Sequence, residues 1–272
     1  IYRDLDEIVR AFRQVANQVP RNGLICACGD DEISNQLASD APAPSLSFGL
    51  EPHNDWQARD LDVDEEGQSF EIVAEEASLG RWRIGLPGAF NVRNALAAVA
   101  VSSWLGVPVD DLRSSLAQFT GVRRRQEELG VIDGVRLIDD FAHHPTAVGQ
   151  TLEGLRAAHT DGRLWAVFEP ASASNARQTF EDRYLAAFDP ADAVVIAPVP
   201  RPERAGDDAP FSESRLTQRL AEAGKQAWFE PDADSIARRL VSTVSSGDTV
   251  VFMSNGGFGG VQSKTVEALA GR

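Results

Sequence analysis

Apolar residues recur at helical spacing from the start of the chain, at Leu5, Ile8, Phe12, Val15 and Val19, behind Asp4 and Glu7, which have the separation of a capping box. The pattern predicts an amphipathic helix. A short apolar run over 24–28 follows the turn-forming Pro20-Arg21-Asn22-Gly23, and another surrounds 46–48; both predict strands of an α/β unit. From 56 to 86 the texture changes to alternation, with Phe70 and Ile72 in one segment and Trp82, Ile84 and Leu86 in the next, divided at Glu66-Gly67 and Leu79-Gly80. Alternation predicts an antiparallel appendage. An Ala-rich helix follows over 91–105, then a second carrying Leu112, Leu116 and Phe119, and Gly121 marks a boundary that divides the chain into 1–119 and 120–272.

The second part repeats strand, loop and helix. Strands are expected at 135–139, 164–168, 193–197, 226–229 and 249–253, with helices over 145–158, up to about 188, over 212–223 and 235–244, and after Gly260. Continuous apolar strands alternating with amphipathic helices imply a parallel sheet covered on both faces, a doubly wound Rossmann-like domain. Ligands of such sheets sit at the carboxyl ends of the strands. Here those ends carry Asp139-Asp140-Phe141-Ala142-His143-His144, Glu169-Pro170, Pro198 and Ser254-Asn255-Gly256-Gly257.

Composition narrows the function classes. With 41 acidic against 26 basic residues, the net charge of −15 disfavours nonspecific nucleic-acid binding, and no apolar run suits a membrane span. Cys26 and Cys28 make no disulfide framework, and no further Cys completes a thiolate metal site, so both are expected as buried thiols of a cytoplasmic protein. The chain opens without Met and directly into a helix pattern, which suggests a fragment. Its two lysines, Lys225 and Lys264, complete no P-loop, and no dinucleotide glycine fingerprint is present.

Four groups of residues carry candidate chemistry. At 139–145 a strand closes and a helix opens with Pro145 in its first turn, setting two carboxylates beside two imidazoles; a carboxylate there can bond a ribose hydroxyl and an imidazole a phosphate oxygen. Arg123-Arg124-Arg125 gathers positive charge in an acidic chain and suits phosphate, against the plainer reading of a solvated run paired with Glu127 and Glu128. The run 256–260 offers backbone amides for an anion or a turn open to close approach. Asn91 and Asn94, in the first turn of their helix and spaced to face one direction, can cap the helix or read a purine edge.

The segments 88–98, 119–127 and 139–146, in this order and spacing, resemble the Mur ligases of peptidoglycan synthesis. Within that family 139–147 and 254–260 look most like the murein peptide ligase branch, which recycles cell-wall tripeptide, with the branch that adds L-alanine to UDP-N-acetylmuramate as the nearest rival. The resemblance implies the last part of a central ATPase domain followed by a complete carboxy-terminal domain, with the UDP-binding domain, P-loop and main Mg²⁺ ligands upstream. It implies ATP- and Mg²⁺-dependent activation of the lactyl carboxylate of UDP-N-acetylmuramate as an acyl phosphate, attacked by the amine of the tripeptide L-alanyl-γ-D-glutamyl-meso-diaminopimelate. Carried across by position, the resemblance has Asn91 and Asn94 contact adenine or the adjoining nucleotide, Arg124 the γ-phosphate, with Arg123 and Arg125 open as substitutes, Asp140 the ribose and His143 the phosphate edge, while Ser254, Asn255, Gly256 and Gly257 line the substrate site. Ala171 stands where the family has an Arg, and Arg177 is the candidate replacement for gripping a substrate carboxylate. A noncatalytic nucleotide- or peptide-binding module is the rival reading from another class, and a Rossmann oxidoreductase is disfavoured by the missing fingerprint.

Overall fold

The computed structural model describes residues 2, 4–172, 178–205 and 209–272, which form two compact units, 1–120 and 121–272. In the first, α1 (Leu5–Ala16) begins at Asp4, whose carboxylate accepts the N–H of Glu7 at 2.8 Å. Strand β1 (Ile25–Cys28), helix α2 (Glu32–Ser39) and strand β2 (Ser45–Gly49) make a parallel step, followed by β3 (Trp56–Asp64), β4 (Gly67–Ala74) and β5 (Ala77–Ile84). Helices α3 (Ala89–Trp104) and α4 (Val109–Ala117) complete the unit.

Three expectations are corrected here. The alternating segments are no appendage: β3 pairs in parallel with β2 at Phe48–Trp56 and Gly49–Gln57, which gives one sheet of order β1-β2-β3-β4-β5. The reason is burial, since Trp56, Phe70, Ile72, Trp82 and Ile84 share a core with Val92, Leu96 and Val99 of α3. The second hairpin turns at Glu75 and Glu76, both in the left-handed region (φ 48° and 68°), and Gly80 lies inside β5. A turn with positive φ at both central positions matches the twist of paired strands, so glutamates occupy places that Asn and Gly normally fill. Finally, Cys26 and Cys28 are half-buried, and burial, with Cys28 nearby, raises the Cys26 thiol to about 11. Helix α2 had no counterpart in the hydrophobic pattern, because only Ala38 of its eight residues is buried.

The second unit is a six-stranded sheet. Its elements are β6 (Glu127–Ile132), β7 (Val135–Asp140), α5 (Pro145–Ala158), β8 (Leu164–Phe168), α6 (Glu181–Ala187), β9 (Ala193–Ile196), α7 (Glu213–Glu222), β10 (Gln226–Phe229), α8 (Ala233–Thr243), β11 (Thr249–Met253) and α9 (Val261–Ala270). Sheet order is β10-β9-β8-β11-β7-β6, parallel except for the edge hairpin β6–β7. Strand β6 was not read as an element; its burial is only partial, so it lacks the apolar run of its neighbours.

Period-two alternation divides the core. Ala166, Phe168, Val194, Ile196, Val251 and Met253 face α5, α6 and α7, while Trp165, Val167, Val195, Val250 and Phe252 face α8 and α9. The chain therefore leaves β7, β8 and β9 toward one face and β10 and β11 toward the other. Strand β11 lies between two neighbours whose following helices go to the opposite face, and a crevice opens at its carboxyl end on each side.

The amino ends of the same strands are locked by Asp248, 3% exposed, which accepts the N–H of Arg163 (3.0 Å), the Arg163 guanidinium (2.8 Å), the Trp165 indole (3.0 Å) and the N–H of Ser245 (3.0 Å). Burial pushes this carboxyl up, but the Arg163, Ser245 and Trp165 bonds outweigh it and hold it below the usual range. Its stabilisation is present above the unfolded carboxylate pKa of about 3.9 and is lost as pH falls through the lower folded value. Asp248→Ala is expected to lower the unfolding free energy of this unit by about 3 kcal/mol at pH 7. The difference from the unchanged protein should shrink as pH falls through the lowered folded value of this carboxyl; urea titrations across pH check both.

Candidate functional site

The site lies where β7, β8 and β11 end in the second unit. Backbone bonds stitch the three ends together: the N–H of Ser254 donates to the Asp140 carbonyl (3.1 Å) and that of Glu169 to the Met253 carbonyl (3.1 Å). A tight turn at 122–126 reaches the same place, because the N–H of Phe141 donates to the Arg124 carbonyl at 2.8 Å.

Asp140 makes that turn possible. Arg124 and Gln126 both adopt the left-handed conformation (φ 57° and 51°), which a side chain disfavours. The Asp140 carboxylate compensates by accepting the N–H of Gln126 (2.8 Å) and of Ala142 (2.7 Å), and Glu127 accepts the N–H of Arg124 (2.8 Å). Burial raises the pKa of Asp140 against these bonds. Its oxygens serve backbone, so the structure places Asp140 as the anchor of the turn.

Of the three consecutive arginines, only Arg124 turns inward. Its Nη2 donates to the Ser254 carbonyl at 2.5 Å, its Nε lies 3.4 Å from Asp139, and its guanidinium sits 5.3 Å from the Phe141 ring. Arg123 and Arg125 are exposed, with Arg125 over the other approach to Phe141 at 5.0 Å. Of the expected carboxylate partners, Glu127 takes the Arg124 backbone and Glu128 pairs with Arg136 instead. Asp139 also accepts from Gln262 of α9 (3.1 Å); burial raises its carboxyl, opposed by Gln262 and Arg124.

The imidazoles are not bonded to these carboxylates. His143 is half-buried, its Nδ1 2.9 Å from the Phe141 carbonyl and its ring edge-on to Phe141 at 5.5 Å. Its own carbonyl accepts the Tyr184 hydroxyl at 2.5 Å. His144 packs edge-on to Phe180 at 5.1 Å, and burial, then Arg183 and His143, lower its pKa.

On β8 and β11, Ser254 is fully buried, donates its hydroxyl to Glu169 and accepts the N–H of Gly256 at 2.8 Å. The Gly256 amide is thus committed within the loop. Among the described residues the buried Oδ1 of Asn255 has no partner. A Cβ added at Gly257 would meet nothing within 4 Å, so this is the open stretch of the loop. The sequence places Glu169 at a strand end but assigns it no role. The available signal was an acidic residue directly after the wholly buried strand 164–168.

The remaining expected residues lie elsewhere. In the first unit, Asn91 is buried with its Nδ2 on the Pro87 carbonyl (2.9 Å), whereas Asn94 is exposed, so the pair does not share one surface. Arg177 falls outside the described residues. Among the described residues no three His, Cys, Asp or Glu come together as metal ligands, and no helix is long and apolar enough to cross a membrane.

Comparison with known proteins now becomes informative. Residues 1–102 match the Mur ligase middle domain, and residues 124–256 match the Mur ligase glutamate ligase domain. The chain belongs to the Mur ligase family. It is 32% identical over 267 residues to the UDP-N-acetylmuramate–L-alanine ligase of Caldanaerobacter subterraneus, covering 98% of this chain and 57% of that protein. The chain thus spans little more than half the length of the curated relatives it matches, and further relatives at 29–34% identity carry the same name.

Solved Mur ligase structures share the fold. The UDP-N-acetylmuramate–alanine ligase of Thermotoga maritima superposes with a TM-score of 0.78 at 20% identity, over 97% of this chain and 55% of that one. A murein peptide ligase from Psychrobacter arcticus gives 0.68 at 26% identity, over 100% and 56%. These findings bear out the family resemblance and the α/β architecture, but they correct its finer branch: the curated relatives favour the L-alanine branch over the tripeptide branch. Within the motif at 139–147, Asp140 caps the turn and Pro145 opens α5.

Asp140→Ala, which strands the Gln126 and Ala142 amides, is expected to lower the unfolding free energy by about 2 kcal/mol. Asp140→Asn, which keeps one acceptor, should cost less; urea denaturation of both variants checks the order.

Proposed function

We propose that the whole protein of which this chain is a part is an ATP-dependent ligase that joins the carboxylate of UDP-N-acetylmuramate to an amino acid, with L-alanine as the acceptor. The observation that carries the reading is the relatedness over almost the full chain, at 32% identity, to a UDP-N-acetylmuramate–L-alanine ligase. Placement of a half-buried arginine at the crevice beside β11 supports it, since such a guanidinium offers several donors to a phosphoryl group in a site partly withdrawn from water.

In this reading ATP is a substrate, and the reaction requires the attacking carboxylate, phosphoryl group and amine to be brought together and their negative charge offset. Arg124 is the catalytic residue, its guanidinium meeting the phosphoryl oxygens. Asp139 and the Ser254 carbonyl aim it, and the turn built by Asp140 sets its backbone. His143 lies on the same rim and meets the phosphate edge, while 254–257 face the acceptor. Asn91 and Asn94, of the first unit, are assigned to the nucleotide base. Magnesium finds no ligand cluster among the described residues.

A second acceptor, the tripeptide L-alanyl-γ-D-glutamyl-meso-diaminopimelate, is favoured by the 26% identity to the murein peptide ligase across the entire chain. The two readings share the activation step and differ only in the amine.

The deciding measurement is ADP release by the whole protein with ATP, Mg²⁺ and UDP-N-acetylmuramate, comparing L-alanine with the tripeptide. Turnover with L-alanine is expected; preference for the tripeptide would move the assignment to the second reading, and no turnover with either would leave a binding module. In the active protein, Arg124→Ala is expected to lower kcat on the order of 100-fold, the scale of losing one donor to developing charge.

A further inference from the structure

Glu169 is a carboxylate only 8% exposed, at the carboxyl end of β8, in a sheet whose neighbouring interior positions are apolar. Burying a charge is costly unless something in the structure uses it. Its carboxylate accepts the Phe258 N–H and is joined through Ser254 to Arg124. The Ser254 hydroxyl donates to Glu169, the same hydroxyl accepts the N–H of Gly256 at 2.8 Å, and the Ser254 carbonyl accepts Arg124 Nη2 at 2.5 Å. The Ser254 N–H also donates to the Asp140 carbonyl at 3.1 Å, so its main chain and its hydroxyl are both held where its carbonyl meets the guanidinium.

The loop is shaped around this arrangement. A Cβ at Gly256 would lie 2.9 Å from a Glu169 carboxylate oxygen and 3.3 Å from the Ala171 methyl, so a side chain there would displace the carboxylate. Burial raises the Glu169 carboxyl, and the bonds from Ser254 and the Phe258 N–H, together with the Arg124 charge, oppose that rise. Arg124 is therefore held from two sides, by Asp139 through its Nε and by the Glu169–Ser254 pair through its Nη2.

We propose that Glu169 is a positioning residue for Arg124, acting through Ser254: as hydrogen-bond acceptor for the buried hydroxyl, it fixes the carbonyl that aims the guanidinium at the phosphoryl group. The inference rests on the assignment of Arg124 to phosphoryl transfer. It requires that Glu169 contribute to the reaction only while Arg124 and Ser254 are present.

The test is a set of double-mutant cycles in the whole protein, with kcat and KM for ATP read from ADP release. Glu169→Ala is expected to lower kcat on the order of tenfold or more, with little change in KM, a coupling within the range of residues that share one network. Ser254→Ala should act similarly, and the double variant should be no worse than the stronger single one. In an Arg124→Ala background, Glu169→Ala should cost less than about twofold. Glu169→Gln, which keeps a carbonyl acceptor for the hydroxyl, should restore most of kcat.

Equal cost of Glu169→Ala with and without Arg124 would overturn the proposal, since a residue that merely supports the fold acts in both backgrounds. A Glu169→Gln variant as impaired as Glu169→Ala would overturn it too. If the unchanged protein turns over no acceptor, the ligase reading fails separately. The same cycles are then read in the dissociation constant for ATP by calorimetry, where loss of the Glu169 effect upon Arg124→Ala supports the coupling and persistence refutes it.

Discussion

Strand β11 is hydrogen-bonded on both edges to parallel neighbours and buried on both faces, with Thr249 through Met253 all withdrawn from water. A strand in that position can leave the sheet only by its end, and its helix must go to the face opposite the helices that follow β7 and β8. The divergence leaves backbone groups exposed at the strand ends. In this protein a buried serine, Asp140, a glutamate and an arginine take up those groups, so the chemistry of the site and the termination of the sheet are one problem.

The charge distribution follows from the same constraint. An acidic chain of net charge −15 gains little by burying carboxylates, yet Asp139, Asp140, Glu169 and Asp248 are each more than nine-tenths buried and all lie at strand ends. At the amino edge, Asp248 meets three backbone or side-chain donors besides the Arg163 guanidinium, and its carboxyl is lowered. At the carboxyl edge burial wins, and the carboxyls of Asp139, Asp140 and Glu169 are all raised. One edge is built as a satisfied lock; the other holds charge under strain beside a crevice, as expected of a functional edge.

The first unit uses a related device. Asp30, just beyond β1, accepts the N–H of Leu50 (2.9 Å) and of Glu51 (3.1 Å), the Asn54 amide (2.9 Å) and Arg93 Nε (2.8 Å). Burial opposes these bonds, but together they lower its carboxyl. The contacts tie the 50–54 turn to α3, the helix that packs the continuous core beneath β3, β4 and β5. In both units a carboxylate after a strand organises the neighbouring turn before any ligand is considered.

By itself the sequence determined the elements of the second unit other than β6, because continuous apolar runs and capped amphipathic helices are local signals. Pro145–Ala158, Leu164–Phe168, Gln226–Phe229 and Thr249–Met253 stand where those signals put them. It also carried the family resemblance and placed candidate chemistry at the strand ends. Tertiary structure alone decided which polar groups meet there. Arg124 is distinguished from Arg123 and Arg125 by a bond to Ser254, 130 residues away, and Glu169 is joined to the same serine across 85 residues. Likewise, whether 56–84 stood apart or extended the first sheet depended on two residue pairs between β2 and β3 and on a core shared with α3. Local pattern reports which residues seek burial; which partners they find is settled by contacts between segments distant in the chain, and no periodicity encodes those.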